Sequence, residues 1–299
     1  MKLEGITVID LSLFLPGPAA TQMMADHGAR VIKVENPRAP EPTRSPAAFP
    51  WQQGGETVML RNTQRGKESI ALDLKSEAGK AALRELIKGA DVLVEAFRPG
   101  VMARLGFDQE TVREVNPKLV YCSISAFGQT GPWRDRPAHD TATVAASGVL
   151  SLSCSPEDPN GGPAIVGVAM SDMLSSYLAL SGVLMALLRR ETTGLGDYLD
   201  ISMHESVLAA SPNILGPVFG AMKRRIDSMN EAMGAAPCSM FTALRMIGFS
   251  PWVAVNTSLF RHYSRVWAAP SSLKPCADPQ GPVTGKPLLF CEPLFRNGL

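Results

Sequence analysis

Asp172 is the residue of this sequence whose type and position best suit nucleophilic or acid–base chemistry. The twelve residues before it carry no ionisable group, and an apolar segment typical of a helix follows it. An aspartate at a helix start caps the first turn, and the helix dipole favours its ionised form. An ionised carboxylate among apolar neighbours is also a workable nucleophile or base. The residues themselves therefore leave two compatible interpretations open, a cap and a catalytic group.

The four histidines carry no comparable signal from their surroundings. A lone histidine is usually structural or exposed, and we interpret His27, His204 and His262 in this way. His139 stands next to Asp140 after a turn-rich stretch, and its own surroundings do not separate it from the other three.

Basic residues are concentrated in loops that follow predicted strands. If the strands form a parallel sheet, these loops meet at its carboxyl edge, where the cations together could hold a phosphorylated ligand. Solvated surface charge is the alternative for each cation taken singly. The residues in question are Arg38, Arg44, Arg61, Arg65, Lys67, Lys75, Arg98 and Arg104.

The composition argues against several classes of protein. Of the 299 residues, 45% are hydrophobic, which is enough for a sizeable core in one or two domains. Twenty-nine basic and 28 acidic residues leave a net charge of +1, so we expect no nucleic acid as a partner. The five cysteines form no C-x-x-C pair and the histidines form no H-E-x-x-H motif, so we expect neither a metal site nor a disulfide framework. A reducing, cytoplasmic location fits best.

Neither the first residues nor the longest apolar stretch indicates export or a membrane span. The first ten residues carry Lys2, Glu4 and Asp10 around a short apolar stretch, unlike a signal peptide. The stretch from Met173 to Leu188 has sixteen residues, whereas a membrane span needs about 20. We expect this stretch to form a helix buried inside the protein, and we expect no membrane as a partner.

Strands and helices alternate along the first 220 residues. The predicted strands are GITVIDL, ARVIKVE, ESIALDL, DVLVEAF, LVYCSIS and YLDISM, and the predicted helices include ATQMMADHG, SEAGKAALRELIKGA and a small-residue segment over 139–152. This alternation predicts an α/β fold with a doubly wound, mainly parallel sheet. The first turn, LPGPAA, lacks the G-x-G-x-x-G fingerprint, which argues against a dinucleotide site.

Several long strings resemble the family III CoA-transferases, which include formyl-CoA:oxalate and carnitine CoA-transferases and the α-methylacyl-CoA racemases. The strings cover most of residues 1–220 in the order of the family. They are GITVIDLSLFLPGPAATQMMADHGARVIKVE, RGKESIALDLKSEAGKAALRELIKGADVLVEAFRPGVMARLGF, NPKLVYCSISAFGQTGPWRDRPAHD and GVAMSDMLSSYLALSGVLMALLRRETTGLGDYLDISMHESVL.

The resemblance implies a Rossmann-like large domain that binds CoA, over residues 1–220, and a linker with a partial, divergent small domain over 221–299. It also implies an interlocked homodimer whose active sites border both chains. After Phe241 the sequence departs from the family pattern. We expect a truncated or altered C-terminal end, which would impair activity.

The resemblance also implies roles for particular residues. Asp172 falls at the family's catalytic aspartate, and Gly128 and Gln129 fall in the turn beside the active centre. His139 resembles the histidine of the racemases. The residues implied to contact CoA are Leu15, Pro16 and Ala19 near its thiol end, and Arg38, Leu72, Lys75, Phe97 and Arg104 along the nucleotide and pantetheine portions.

The implied substrates are an acyl-CoA and a carboxylic acid, with no permanently bound cofactor. The transferase interpretation moves CoA between acids through an aspartyl-CoA thioester. One alternative is a racemase that uses His139 and Asp172 as an acid–base pair, and another is a degenerate homologue that binds CoA without turnover. Asp172 is followed by Met173, Leu174 and two serines instead of a glycine-rich turn, which favours transfer.

Overall fold

The computed structural model describes residues 1–153, 162–165, 167–213 and 215. The predicted boundary at residue 220, the small domain over 221–299 and the departure after Phe241 lie outside these residues, so they stay predictions.

Six strands of the described chain form one sheet in which every neighbouring pair is parallel. The strands are β1 (Thr7–Asp10), β2 (Arg30–Glu35), β3 (Gln52–Gln53), β4 (Glu56–Thr57), β5 (Glu68–Ala71), β6 (Val92–Glu95), β7 (Val120–Ser125) and β8 (Tyr198–Ser202), of which β3 and β4 form a separate antiparallel pair. The order in the sheet is β5-β2-β1-β6-β7-β8. Counted along the chain, this is the 3-2-1-4-5-6 order of a doubly wound fold, which confirms the predicted α/β class.

Eight α-helices connect the strands of the described chain. They are α1 (Pro16–Asp26), α2 (Val58–Gln64), α3 (Glu77–Lys88), α4 (Val101–Leu105), α5 (Gln109–Val115), α6 (Asp140–Ala146), α7 (Met170–Thr193) and α8 (Met203–Ala209). Short 3₁₀ helices cover Pro42–Arg44 and Val149–Ser153.

The hydrophobic core lies in two layers, one on each face of the sheet. Alternate residues of each strand enter opposite layers, because successive side chains of a strand point to opposite faces. Val8 belongs to the layer that α1 and α7 cover, and the adjacent Ile9 belongs to the layer under α3, α4 and α5. Helices on both faces explain why the strand sequences are almost continuously apolar.

Two sequence-based element predictions were wrong in detail. The predicted turn LPGPAA already contains the start of α1, because Pro16 and Pro18 fit a first helical turn, where no backbone N–H is needed. The predicted helix over 139–152 ends at Ala146, and Gly148 then adopts a φ of 82°, which breaks the helix.

Helix α7 is buried along one face only, so the prediction of a helix buried inside the protein was wrong for its other face. Its buried residues include Ala179 and Val183, which pack against the sheet. By length and composition α7 is the one helix among the described residues that could cross a membrane. Large apolar residues remain exposed on its other side, namely Tyr177, Leu178, Leu184, Met185 and Leu188.

Candidate active site

The predicted site residues lie in loops or first helical turns that follow the carboxyl ends of the parallel strands. This edge is where doubly wound sheets bind their ligands. The segments follow five different strands: Leu15, Pro16 and Ala19 after β1, Arg38 after β2, Leu72 and Lys75 after β5, Phe97 and Arg104 after β6, and Gly128 and Gln129 after β7. His139 and Asp172 lie further along the chain, at the starts of α6 and α7.

Asp172 is the third residue of α7, and Ala169 occupies the capping position, so the prediction that Asp172 is the cap was wrong. The start of the helix is instead held by Asp140, from the first turn of α6. One oxygen of Asp140, Oδ1, accepts hydrogen bonds from the Ser171 amide at 2.6 Å, the Ser171 hydroxyl at 2.9 Å and the Asp172 amide at 3.2 Å. Asp140 thereby fixes the turn that carries Asp172.

These hydrogen bonds occupy amides that could otherwise stabilise an oxyanion. The amides of Ser171 and Asp172 point to Asp140, and the amide of Met173 donates to the Ala169 carbonyl at 3.0 Å. The first turn of α7 therefore orients Asp172 and does not offer these three amides to a reacting carbonyl oxygen.

The carboxyl group of Asp172 is partly buried and accepts no hydrogen bond from the described residues. Burial and, to a smaller extent, the charge of Asp140 raise the pKa of Asp172 to about 7. Burial thus opposes the ionised form of Asp172, which a helix start by itself favours. A weakly solvated carboxylate with a pKa near neutrality suits both nucleophilic attack and proton transfer.

Ser176 connects this turn to the segment after β1 that is predicted to contact the thiol end of CoA. Its hydroxyl lies 2.7 Å from the Pro16 carbonyl and 2.7 Å from the Asp172 carbonyl, and the residue is fully buried. The structure thus brings the start of α1, with Leu15 and Pro16, against the first turn of α7.

Gly128 and Gln129 form a second fixed element of the same edge. Gly128 has a φ of 82°, a conformation that favours glycine. The Gln129 amide donates to both carboxylate oxygens of Asp200, at 2.9 and 3.1 Å, and its side-chain amide donates to Ser123 at 2.8 Å. Ser123 in turn donates to Glu95. Glu95 is buried, and this burial raises its pKa to about 7.

His139 is exposed and occupies the capping position of α6, but its side chain makes no capping hydrogen bond. Its ring packs edge-on against the ring of Phe14, with 5.8 Å between centroids. The structure therefore brings His139 to the loop after β1, beside the elements that carry Asp172, and its role in chemistry stays a prediction.

The positions predicted to hold the nucleotide follow strands β2, β5 and β6. Arg38, after β2, is exposed and pairs at 3.3 Å with Asp73, which lies with Lys75 in the loop after β5. Leu72 and Phe97 are partly buried and pack against the core layer under α3, so only part of each side chain faces outward. Among the described residues, no carboxylate lies within ion-pair distance of Lys75 or Arg104.

Three of the basic loop residues instead serve the fold. Arg44 pairs with Glu35 at 2.6 Å, Arg65 pairs with Asp26, and Lys67 is buried against Asp10 at 3.0 Å. The interpretation of the basic residues as one shared anion site was therefore too broad, because these three cations already have carboxylate partners.

Sequence reasoning missed the residues that position the site. Asp140 acts on residues 31 and 32 positions away, and Glu41 acts on Phe14, 27 positions away, so no local pattern could have revealed either contact. The available signal was an unexplained acidic residue at a predicted loop or helix start.

A parallel sheet in this strand order defines a doubly wound α/β protein, a class that binds its ligands at the carboxyl edge of the sheet. The sequence model described as CoA-transferase family III matches residues 3–273. The chain belongs to this family, which confirms the resemblance inferred from the sequence.

Curated relatives include two bacterial transferases. The acetyl-CoA:oxalate CoA-transferase of Acetobacter aceti is 41% identical over 242 residues, which cover 80% of this chain and 60% of the relative. The succinate–glutarate CoA-transferase of Agrobacterium fabrum is 39% identical over 218 residues, covering 71% and 54%. The chain thus spans less than two thirds of the length of either relative.

Solved structures agree with the fold assignment. A CaiB/BaiF family protein from Brucella suis superposes with a TM-score of 0.66 and 31% identity, covering 74% of this chain and 57% of that one. A hypothetical protein from Mycobacterium tuberculosis gives a TM-score of 0.64 and 35% identity, covering 72% and 59%.

Proposed function

We propose that this protein is an acyl-CoA:carboxylate CoA-transferase and that Asp172 is its nucleophile. The observation that carries the proposal is the placement of Asp172, partly buried, held by Asp140 and joined through Ser176 to the start of α1. Membership of CoA-transferase family III and relatives named as transferases support it.

In the proposed reaction, an oxygen of ionised Asp172 attacks the thioester carbonyl carbon of the acyl-CoA. The carbon–sulfur bond breaks, CoA leaves as a thiolate, and the acyl group is held in a mixed anhydride with Asp172. The thiolate then attacks the aspartyl carbonyl carbon, releases the donor carboxylate and leaves an aspartyl-CoA thioester. An acceptor carboxylate attacks this thioester and the same steps run in reverse, so the exchange consumes no proton and no water.

The chain's own residues supply the nucleophile and the binding charges of this scheme. Lys75 and Arg104 are the cations proposed to hold the CoA phosphates, because no described carboxylate neutralises them. Partial exclusion of water around Asp172 would strengthen its attack and would limit hydrolysis of the anhydride.

We also propose that the chain acts as a homodimer in the cytoplasm. The exposed apolar side of α7, around Met185 at 65% and Leu188 at 73% exposure, supports association, since large exposed apolar surfaces mark contact sites. Sedimentation of the purified protein tests the dimer.

Exchange of CoA between a panel of acyl-CoA donors and free acids, followed by mass spectrometry of the thioesters, tests the function. The wild type is expected to form a new acyl-CoA. Asp172→Ala is expected to lower the rate by at least about a thousandfold, as for loss of a nucleophile, whereas His139→Ala is expected to retain most of it.

A racemase would give the opposite pattern. Deuterium from heavy water would enter the α-carbon of a 2-methylacyl-CoA, both variants would lose this incorporation, and no exchange would occur in the wild type. That result would replace the transferase proposal with the acid–base pair of His139 and Asp172.

A further inference from the structure

A buried cluster of two lysines and two carboxylates lies behind the loop after β1. Lys67 donates to Asp10 at 3.0 Å, Lys33 lies 3.2 Å from Glu41, and none of the four side chains is more than 3% exposed. Burial alone would raise the pKa of Asp10, but both ammonium groups and its hydrogen bonds hold that pKa below its usual range. Such a cluster is costly to bury, so its presence indicates a structural task.

The cluster determines the path of the residues that lead into α1. Lys33 donates to the Ser12 carbonyl, and the Ser12 amide and hydroxyl both donate to Asp10, at 2.9 and 2.5 Å. Glu41 accepts the Phe14 amide at 3.0 Å. Both ends of the bend are therefore held by buried charged groups.

Phe14 adopts a left-handed backbone conformation at this bend. Its φ is 63°, and it is the one residue other than glycine with positive φ among the described residues. This conformation is disfavoured for residues with a Cβ, and it persists where surrounding contacts impose it, often at functional sites.

In this conformation the Phe14 ring contacts His139 at the start of α6. Phe14 is 41% exposed, and its ring packs against His139, which adjoins the Asp140 that holds the Asp172 turn. Two residues further along, the Pro16 carbonyl joins α1 to the same turn through Ser176. Phe14 therefore lies between the two helix starts that flank Asp172.

We propose that Phe14 forms one wall of the acyl subsite and that Glu41 is a positioning residue, which holds this wall by accepting the Phe14 amide. The proposal rests on the CoA-transferase function proposed above and deepens it. It assigns preference for small acyl groups to Phe14, because a bulky ring in the wall of the subsite would leave less room for a longer or branched acyl chain.

The test compares acyl preference in Phe14→Ala, Glu41→Leu and the double variant. Phe14→Ala is expected to raise kcat/KM for a branched acyl-CoA relative to acetyl-CoA by about tenfold, the scale of one methylene in a pocket, without changing the affinity for free CoA. Leu195→Ala, which removes an exposed apolar side chain before β8, is the control and should change neither quantity.

The double variant separates positioning from a general structural effect. If Glu41 acts through Phe14, Glu41→Leu shifts the acyl preference in the wild type and adds no further shift once the ring is gone. If the shifts in acyl preference of the two single variants add up in the double variant, the role of Glu41 is overturned. If Phe14→Ala leaves the acyl preference unchanged, the proposal that Phe14 forms a wall of the acyl subsite is overturned. Because Phe14 is 41% exposed, Phe14→Ala leaves the buried cluster intact and remains decisive should Glu41→Leu fail to fold. A wild type that neither binds nor exchanges CoA would instead overturn the function itself, and the wall with it.

Discussion

Asp140 and Asp172 show how one carboxylate can position another and also change its chemistry. Asp140 accepts both amides at the start of α7, which fixes the backbone of Asp172, while its charge opposes ionisation of Asp172. Burial remains the larger cause of the raised pKa. The proposed nucleophile is thus held in place in surroundings that make its ionised form less stable, which would make it more reactive.

The pH dependence of exchange follows from these causes. In the proposed reaction only ionised Asp172 attacks the thioester, so kcat/KM is expected to rise with pH and to reach half its upper value near the pKa of about 7. Asp140→Asn removes the opposing charge but keeps an oxygen that can accept the amides, so the midpoint should move to lower pH. It should stay above the ordinary value of 3.8, because burial is unchanged.

Asp135→Asn is the matched control for this pH profile. Asp135 is an exposed carboxylate in the preceding loop and does not contribute to the pKa of Asp172, so its loss should leave the midpoint in place. A midpoint that Asp140→Asn leaves unchanged, or moves to higher pH, would contradict the assignment of this titration to Asp172.

At the scale of elements, the sequence predicted what depends on periodicity and missed what depends on tertiary contacts. Six strands and the helix Glu77–Lys88, with Ser76 as cap and Gly89 at its end, were readable from apolar spacing and capping residues. The start of α1 at Pro16 could not be predicted in this way, because a P-G-P string is typical of a turn as well as of a first helical turn.

The candidate site was predictable as a set of positions but not as a geometry. Carboxyl ends of parallel strands must share an edge, so the loops carrying Leu15, Arg38 and Phe97 were expected to converge. Which cations have internal partners, as Lys67 has with Asp10, depends on contacts between residues 57 positions apart. No spacing rule specifies such contacts.

A substitution at Gly17 tests the close packing between the loop after β1 and helix α1. A methyl group at this position would overlap the side chain of Ser12, which is fully buried and held by Asp10. Gly17→Ala is therefore expected to destabilise the fold by about 1–3 kcal/mol, the usual cost of overpacking. Denaturant unfolding measures this free energy.

Gly89→Ala is the control, since a methyl group there meets nothing within 4 Å and the residue has a φ of −100°. If both substitutions change the free energy of unfolding equally, the packing account of Gly17 is wrong.

At the scale of the whole molecule, the charge distribution matters more than the net charge of +1. Lys75 and Arg104, which have no carboxylate partner among the described residues, follow β5 and β6 at the carboxyl edge of the sheet, where they would attract a CoA phosphate. Binding of free CoA is therefore expected to weaken as salt concentration rises, because ions screen exposed charges.

Reversing the charge of one cation tests where on the protein this salt-dependent binding of CoA takes place. Arg104→Glu is expected to weaken CoA binding at low salt by about tenfold or more, the usual worth of a charge-assisted hydrogen bond. Lys118→Glu, an exposed change just before β7 and so at the opposite edge of the sheet, should have little effect. Calorimetry at two salt concentrations measures both, and equal losses in the two variants would argue against a localised phosphate site.

The most direct test of the central claim is chemical trapping of Asp172 during turnover. Hydroxylamine attacks the proposed aspartyl-CoA thioester and converts that aspartate to a hydroxamate, which peptide mass spectrometry locates. The account predicts a hydroxamate at Asp172 only when acyl-CoA and hydroxylamine are both present. Undiminished CoA exchange with Asp172 unmodified, or exchange that persists in Asp172→Ala, would contradict it.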